Sequence, residues 1–304
     1  MPLPPRWQWK LDRWREQLRG LFRDDAPKEA RPRLCPSCKT LVGVAATRCH
    51  ECGTSLTFSV AAASKALGGF LPERSPVTYI VLFINGVMFA FSMMLSIREG
   101  QHIGVMGGIS GEALVSLGAK VTGFILQGEV WRLVMPIFLH GGFLHIGMNS
   151  LVLIDIGPVL EEKYGSARYL FLYIVTGIVS FIASAFWQPY GISIGASGSL
   201  MGLIGLMIAI TKRHGGILAE MYRKQLARQV IYIFIFGFVI PGIDNAAHLG
   251  GLAAGYALGM MFEDREPMNA AERNRANVLG WAAALIVIAS FAAMLLNYFR
   301  VTQR

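Results

Sequence analysis

Ser197, in Gly195-Ala196-Ser197-Gly198, and His248, in Ala247-His248-Leu249-Gly250-Gly251, each open an apolar stretch of the chain. A polar side chain at membrane depth costs free energy unless it is paired, so two of them point to a site. A serine hydroxyl against an imidazole makes a nucleophile and its general base: the ring takes the hydroxyl proton and returns it to a leaving amine. No Asp or Glu is placed at comparable depth to orient the ring, which predicts a dyad and no triad. His145 and Asn149 are spaced i, i+4 and share one helical face. Both can donate hydrogen bonds to an oxyanion forming on an attacked carbonyl, with the backbone N–H of Ser197 at a helix N-terminus as a further donor. Interhelical hydrogen bonding would explain a lone His-Asn pair in a membrane. Three polar clusters at one inferred depth favour catalysis.

Membrane-spanning helices must position these groups. Apolar residues make up 54% of the chain and charged residues 15%. Seven runs, near 77–97, 145–160, 168–187, 197–212, 228–240, 246–262 and 278–299, are long enough, or nearly so, to cross about 30 Å of hydrocarbon. The predicted fold is an all-α polytopic membrane protein. Its short loops on one side hold Lys163, Arg168, Lys212, Arg213, Arg223, Lys224, Arg228, Arg265, Arg273 and Arg275, whereas the short loops on the other side hold none. This bias predicts a cytoplasmic N-terminus and a C-terminus outside. The net charge of +9 is then chiefly a topology signal, and no nucleic-acid partner is expected. Residues 1–76 lack a signal-peptide apolar region, which agrees with that orientation.

The second, fourth and sixth spans all run inward, so His145, Asn149, Ser197 and His248 would converge near the outer face. From Ser197 to Lys212 the fourth span covers only about 24 Å, so Ser197 should begin its helix at the floor of a cavity open to the outside. The Gly-rich lead-in from Gly191 to Gly195 suits such a cavity, because non-helical backbone at this depth must line an enclosed or watery space. His248, Gly251, Gly255 and Gly259 form one helical stripe, and Gly198, Gly202 and Gly205 form another. Small stripes let the two helices approach closely. Packing explains the glycines but not why a histidine tops one stripe and a serine the other.

Four ordered motifs resemble the rhomboid family of intramembrane serine proteases over residues 77 to 299. They are Glu129-Val130-Trp131-Arg132, the run from His140 through His145 to Asn149, Gly195-Ala196-Ser197-Gly198, and Asp244-Asn245-Ala246-Ala247-His248-Leu249-Gly250-Gly251. The resemblance implies that Ser197 is the nucleophile, His248 the base, and His145 and Asn149 the oxyanion-hole donors. It also implies that Trp131 and Arg132 belong to a membrane-embedded outer hairpin, and that Glu161 is a structural carboxylate. A six-helix core followed by a seventh helix resembles the secretase-type layout. Met201 departs from the family, which usually has Phe or Tyr there for the catalytic histidine to stack on. A thioether can still pack against the ring.

Ahead of this domain, residues 31–58 hold all four cysteines, Cys35, Cys38, Cys49 and Cys52, as two C-x2-C knuckles separated by ten residues. The spacing fits a zinc ribbon with four thiolate ligands, and a segment so poor in apolar residues needs the metal to fold. A cytoplasmic location disfavours disulfides. Residues 1–30 place Trp7, Leu11, Trp14 and Leu18 at helical spacing among basic residues, suiting either an anionic membrane surface or a protein partner. Residues 59–76 read as a linker and 300–304 as a tail.

The expectation is an intramembrane serine protease acting on transmembrane segments of other proteins, embedded in the bilayer of a bacterial inner membrane. Its structural zinc would serve docking to a cytoplasmic partner, and catalysis would need no cofactor. The alternative is a non-catalytic rhomboid-like factor that binds membrane clients. A transporter is disfavoured because paired intramembrane carboxylates are missing.

Overall fold

Hydrocarbon offers no partner for a backbone N–H or C=O, so an apolar run that enters it folds as helix and satisfies those groups internally. A computed structural model describes residues 33–34, 40–43, 46, 49–51, 75–101, 108–240 and 242–302. The chain divides into two compact units, Met1–Gly69 and Phe70–Arg304.

In the first unit, β1 (Arg33–Leu34) pairs antiparallel with β2 (Leu41–Val42), Arg33 opposite Val42 and Leu34 opposite Leu41. Cys49 is buried beside Val42, with Ala46 packed against them. Cys35, Cys38 and Cys52 lie outside the described residues, as does the expected amphipathic helix within residues 1–30.

The second unit is helical. Its elements in chain order are α1 (Pro76–Arg98), the short α2 (Gly111–Ser116) and α3 (Thr122–Leu126), two 3-10 turns (Val130–Leu133 and Met135–Phe138), α4 (Phe143–Tyr164), α5 (Ser166–Trp187), α6 (Ser197–His214), α7 (Gly216–Val239), α8 (Asn245–Met261) and α9 (Ala270–Thr302). Gly215 and Gly216 take φ of +64° and +83°, a conformation open mainly to glycine, and so break α6 from α7.

The seven expected spans correspond to the seven long helices. Four of these, α1, α4, α5 and α9, are by themselves long and apolar enough to cross a membrane. The others differ for physical reasons. α6 buries 13 of its 18 residues among its neighbours and ends on Lys212, Arg213 and His214. α8 has only 17 residues. α7 begins at residue 216 instead of 228, and its first thirteen residues carry Glu220, Arg223, Lys224 and Arg228. Those charges hid its start from a hydropathy reading.

Two buried charges hold the frame. Glu161, near the end of α4, is 1% exposed and accepts hydrogen bonds from Val77 N (2.9 Å), Thr78 N (2.8 Å), Thr78 Oγ1 (2.8 Å) and Ser166 Oγ (2.7 Å). It thereby satisfies the first free N–H groups of α1 and ties α4 to α5. Arg132 pairs with Glu129, donates to the carbonyls of Val115 (2.7 Å) and Ala119 (3.2 Å), and lies between the rings of Phe124 and Trp131. A planar five-donor cation can organise a loop in this way, gathering α2, α3 and the first 3-10 turn around one group.

Candidate active site

α6 and α8 meet through their glycines. A Cβ on Gly251 would lie 2.0 Å from the carbonyl oxygen of Gly198, and one on Gly255 would lie 1.9 Å from that of Gly202. Only hydrogen fits between these backbones, so the two stripes seen in the sequence do face each other. On the far side of α6, Gly198 abuts Ser180 and Gly202 abuts Thr176, which closes α5 onto the pair.

This contact brings Ser197 Oγ and His248 Nε2 to 2.9 Å. Ser197 is the first residue of α6, and His248 lies in the first turn of α8. Among the described residues nothing hydrogen-bonds His248 Nδ1. Asp244, four residues earlier, is engaged elsewhere: it caps α8 by accepting from Ala247 N (2.9 Å) and takes a short hydrogen bond from Ser184. Among the described residues no carboxylate hydrogen-bonds the ring, and Phe234 of α7 lies edge-on to it at 6.4 Å between centroids. Met201 is buried, 2% exposed. An aromatic contact to the histidine therefore exists, supplied from a different helix. Nothing in the apolar pattern around Phe234 distinguishes it from its neighbours.

His145 and Asn149 stand beside this pair. Gly141 N donates to His145 Nδ1 at 3.3 Å, which leaves Nε2 as the donor nitrogen of a neutral ring. A Cβ on Gly195 would lie 2.6 Å from that Nε2 and 3.6 Å from Ser197 Oγ. The hydrogen of Gly195, at a φ of +122°, thus keeps open the space between them. Asn149 Nδ2 donates to His145 O at 3.0 Å, using one amide proton and leaving the second. His140, fully buried, packs edge-on against His145 with 5.1 Å between centroids and steadies its ring. Gly195 and His140 stand inside quoted motifs, yet a motif does not disclose which residue clears space and which merely packs.

The segment leading to Ser197 is non-helical from residue 188 to 196, as the glycine-rich lead-in suggested. It is stitched down at several points. Lys120 and Ser193 exchange backbone hydrogen bonds (3.0 and 3.2 Å), Lys120 Nζ donates to Gln188 O (2.5 Å), and Gly195 N donates to Pro136 O (2.8 Å). Lys120 was not singled out in the sequence; a lone lysine in an outer loop carries no signal that it is buried.

Ser197, His248 and His145 thus gather around one small space, with Asn149 hydrogen-bonded to the backbone of His145. A family model described as Rhomboid domain matches residues 127–265, which contain all four side chains. Rhomboid protease GluP of Bacillus subtilis (strain 168) is 40% identical over 193 residues, covering 62% of this chain and 35% of that protein. RHOMBOID-like protein 6, mitochondrial, of Arabidopsis thaliana is 32% identical over 224 residues, covering 67% and 70%. Putative rhomboid protease YdcA of Bacillus subtilis (strain 168) is 32% identical over 145 residues, covering 46% and 73%. The chain therefore spans about a third of the length of GluP and roughly seven tenths of the other two.

Proposed function

The chain belongs to the rhomboid family, and from that premise we propose that it is an intramembrane serine protease cleaving transmembrane or membrane-adjacent segments of other membrane proteins. The observation that carries this reading is the 2.9 Å contact between Ser197 Oγ and His248 Nε2 on two helices locked by glycine. Oγ attacks the scissile carbonyl while Nε2 takes its proton. The oxyanion accepts hydrogen bonds from His145 Nε2–H, the free amide proton of Asn149 and the backbone N–H of Ser197. The imidazolium then gives its proton to the leaving amine, forming an acyl-enzyme. Water, activated by the same nitrogen, hydrolyses that ester and regenerates Ser197. Catalysis needs no cofactor in this scheme.

The feature that favours the competing binder reading is Met201, at the position where the family usually has the aromatic residue for the catalytic histidine. The edge-on ring of Phe234 weakens it, since His248 does have an aromatic neighbour. Cleavage of a transmembrane reporter by the purified protein tests the choice. Ser197→Ala and His248→Ala should each abolish cleavage, and the double variant should be no worse than either single one. Residual cleavage by Ser197→Ala above a protein-free control would overturn the dyad.

The N-terminal module is proposed to be a structural zinc ribbon. Cys35 and Cys38 fall in sequence between the paired strands β1 and β2, the spacing of a zinc knuckle, and Cys49 is buried beside Val42. Four thiolates would leave the metal no open position, so zinc would fold the module for docking to a partner on the cytoplasmic side and take no part in hydrolysis. The orientation follows the basic loops: a bacterial inner membrane, the N-terminus inside, and Ser197 opening outward. Metal analysis should find one zinc per chain, lost in a Cys35→Ser, Cys38→Ser double variant; metal-free wild-type protein would refute the ribbon.

A further inference from the structure

Lys120 is 1% exposed, and a lysine is almost never buried so fully without a partner. Its Nζ donates to Gln188 O at 2.5 Å. Gln188 is the residue that ends α5, where free carbonyls and the helix dipole favour a cation. The backbone of the same lysine exchanges two hydrogen bonds with Ser193, Lys120 N to Ser193 O at 3.0 Å and Ser193 N to Lys120 O at 3.2 Å. One residue thus holds both ends of the stretch 188–193, its side chain at the start and its backbone at the finish. A pair that exchanges both bonds fixes register, because a slip of one residue breaks the two together. Ser193 is four residues before Ser197, and the link between them is pinned by Gly195 N on Pro136 O at 2.8 Å.

Lys120 is itself held in place. The carbonyl of Ala119 accepts from Arg132 Nη1 at 3.2 Å, and a Cβ on Gly118 would lie 2.4 Å from the ring of Trp131. The outer-loop backbone is therefore seated on Trp131 and Arg132 just before Lys120, and a path of contacts runs from that pair through Lys120 to the segment that delivers Ser197. We propose that Lys120 is a positioning residue for the nucleophile. Its ammonium on Gln188 O and its backbone pair with Ser193 fix where the 188–196 segment ends, and hence where Ser197 Oγ and the Ser197 N–H stand against an attacked carbonyl. The proposal rests on the reading of Ser197 as nucleophile. Misplacing a reacting group by an ångström or less slows the chemical step and leaves client capture intact, so the effect belongs in kcat.

The test uses the full chain in detergent micelles, a transmembrane reporter, and Lys120→Met, which keeps most of the apolar stem and removes the ammonium. kcat per folded molecule should fall about tenfold or more, KM should stay within about twofold, and fluorophosphonate labelling of Ser197 should slow by about the same factor as kcat. A brace that served stability alone would lower the melting temperature and leave kcat of the folded fraction unchanged, and that result overturns the proposal. A rise in KM with kcat unchanged also overturns it and makes Lys120 a client contact. Lys120→Gln covers the case in which Lys120→Met does not fold: its amide nitrogen falls one bond short of the Nζ position, so the same loss of kcat is expected, and an unchanged kcat again overturns the proposal. Ser197→Ala, run alongside, separates the two readings. Turnover that survives in Ser197→Ala refutes the nucleophile and the clamp with it, whereas an inactive Ser197→Ala beside an unchanged kcat in Lys120→Met refutes the clamp alone.

Discussion

α6 and α8 touch backbone to backbone, while α7, the helix that joins them in sequence, buries only Leu226 among its 24 residues. The contrast separates two duties. A dyad must hold its geometry to within fractions of an ångström, and a glycine seam does so because neither helix can slide without opening a void or a clash. α7, with a single buried residue, has few contacts to hold it, and local stability follows the number of buried groups. The proposed reacting atoms ride on the close-packed pair, and the ring of Phe234 on α7 lies edge-on to His248.

The strongest way to break this comparison is to force the rigid pair apart. In Gly255→Val the first added carbon would meet the carbonyl of Gly202 at 1.9 Å, a backbone atom that cannot turn aside. Loss of both folding and turnover is expected, read by thermal unfolding in detergent and by reporter cleavage; a folded, active variant would contradict the seam. Glu161→Ala comes next. It strips four hydrogen bonds from the end of the domain away from Ser197 and should cost about 3 kcal/mol of stability. Turnover per folded molecule should change little, so a collapse of kcat in the folded fraction would mean that this end is coupled to the chemistry.

Gly195→Ala strikes nearer the chemistry. Its methyl would enter the space beside His145 Nε2, so kcat per folded molecule should fall about 10²-fold, with some loss of melting temperature because alanine is strained at this positive φ. A loss confined to KM would assign that space to client contact. The smallest effect belongs to the border between the regions. Phe234→Ala removes one edge-on ring contact, about 1 kcal/mol, and should slow turnover several-fold. No change at all would mean that the ring of Phe234 contributes nothing to holding His248.

Legibility in the sequence followed the same divide. Ser197, His248 and the glycine stripes were readable because polar and small residues interrupt apolar runs at helical spacing, and their pairing followed from close approach. That Glu161 is a structural carboxylate came from family resemblance; that it caps α1 is visible only in its four hydrogen bonds. What escaped depends on contacts between distant segments. α2 and α3 are too short for periodicity to register. The first half of α7 is charged, so its helix starts twelve residues earlier than the apolar run. The aromatic neighbour of His248 is Phe234, on a different helix from Ser197, and one-dimensional spacing contains no sign of that contact.

The dyad can be tested without knowing any client. A fluorophosphonate reacts with a serine hydroxyl only where a base has activated it and donors stabilise the resulting phosphoryl oxygen. The purified full chain should take up one label, mapped to Ser197 by peptide mass; Ser197→Ala should take up none, and His248→Ala should be labelled far more slowly. An unlabelled wild-type protein, or a label that persists in Ser197→Ala, would contradict the assignment of Ser197 and His248 as nucleophile and base.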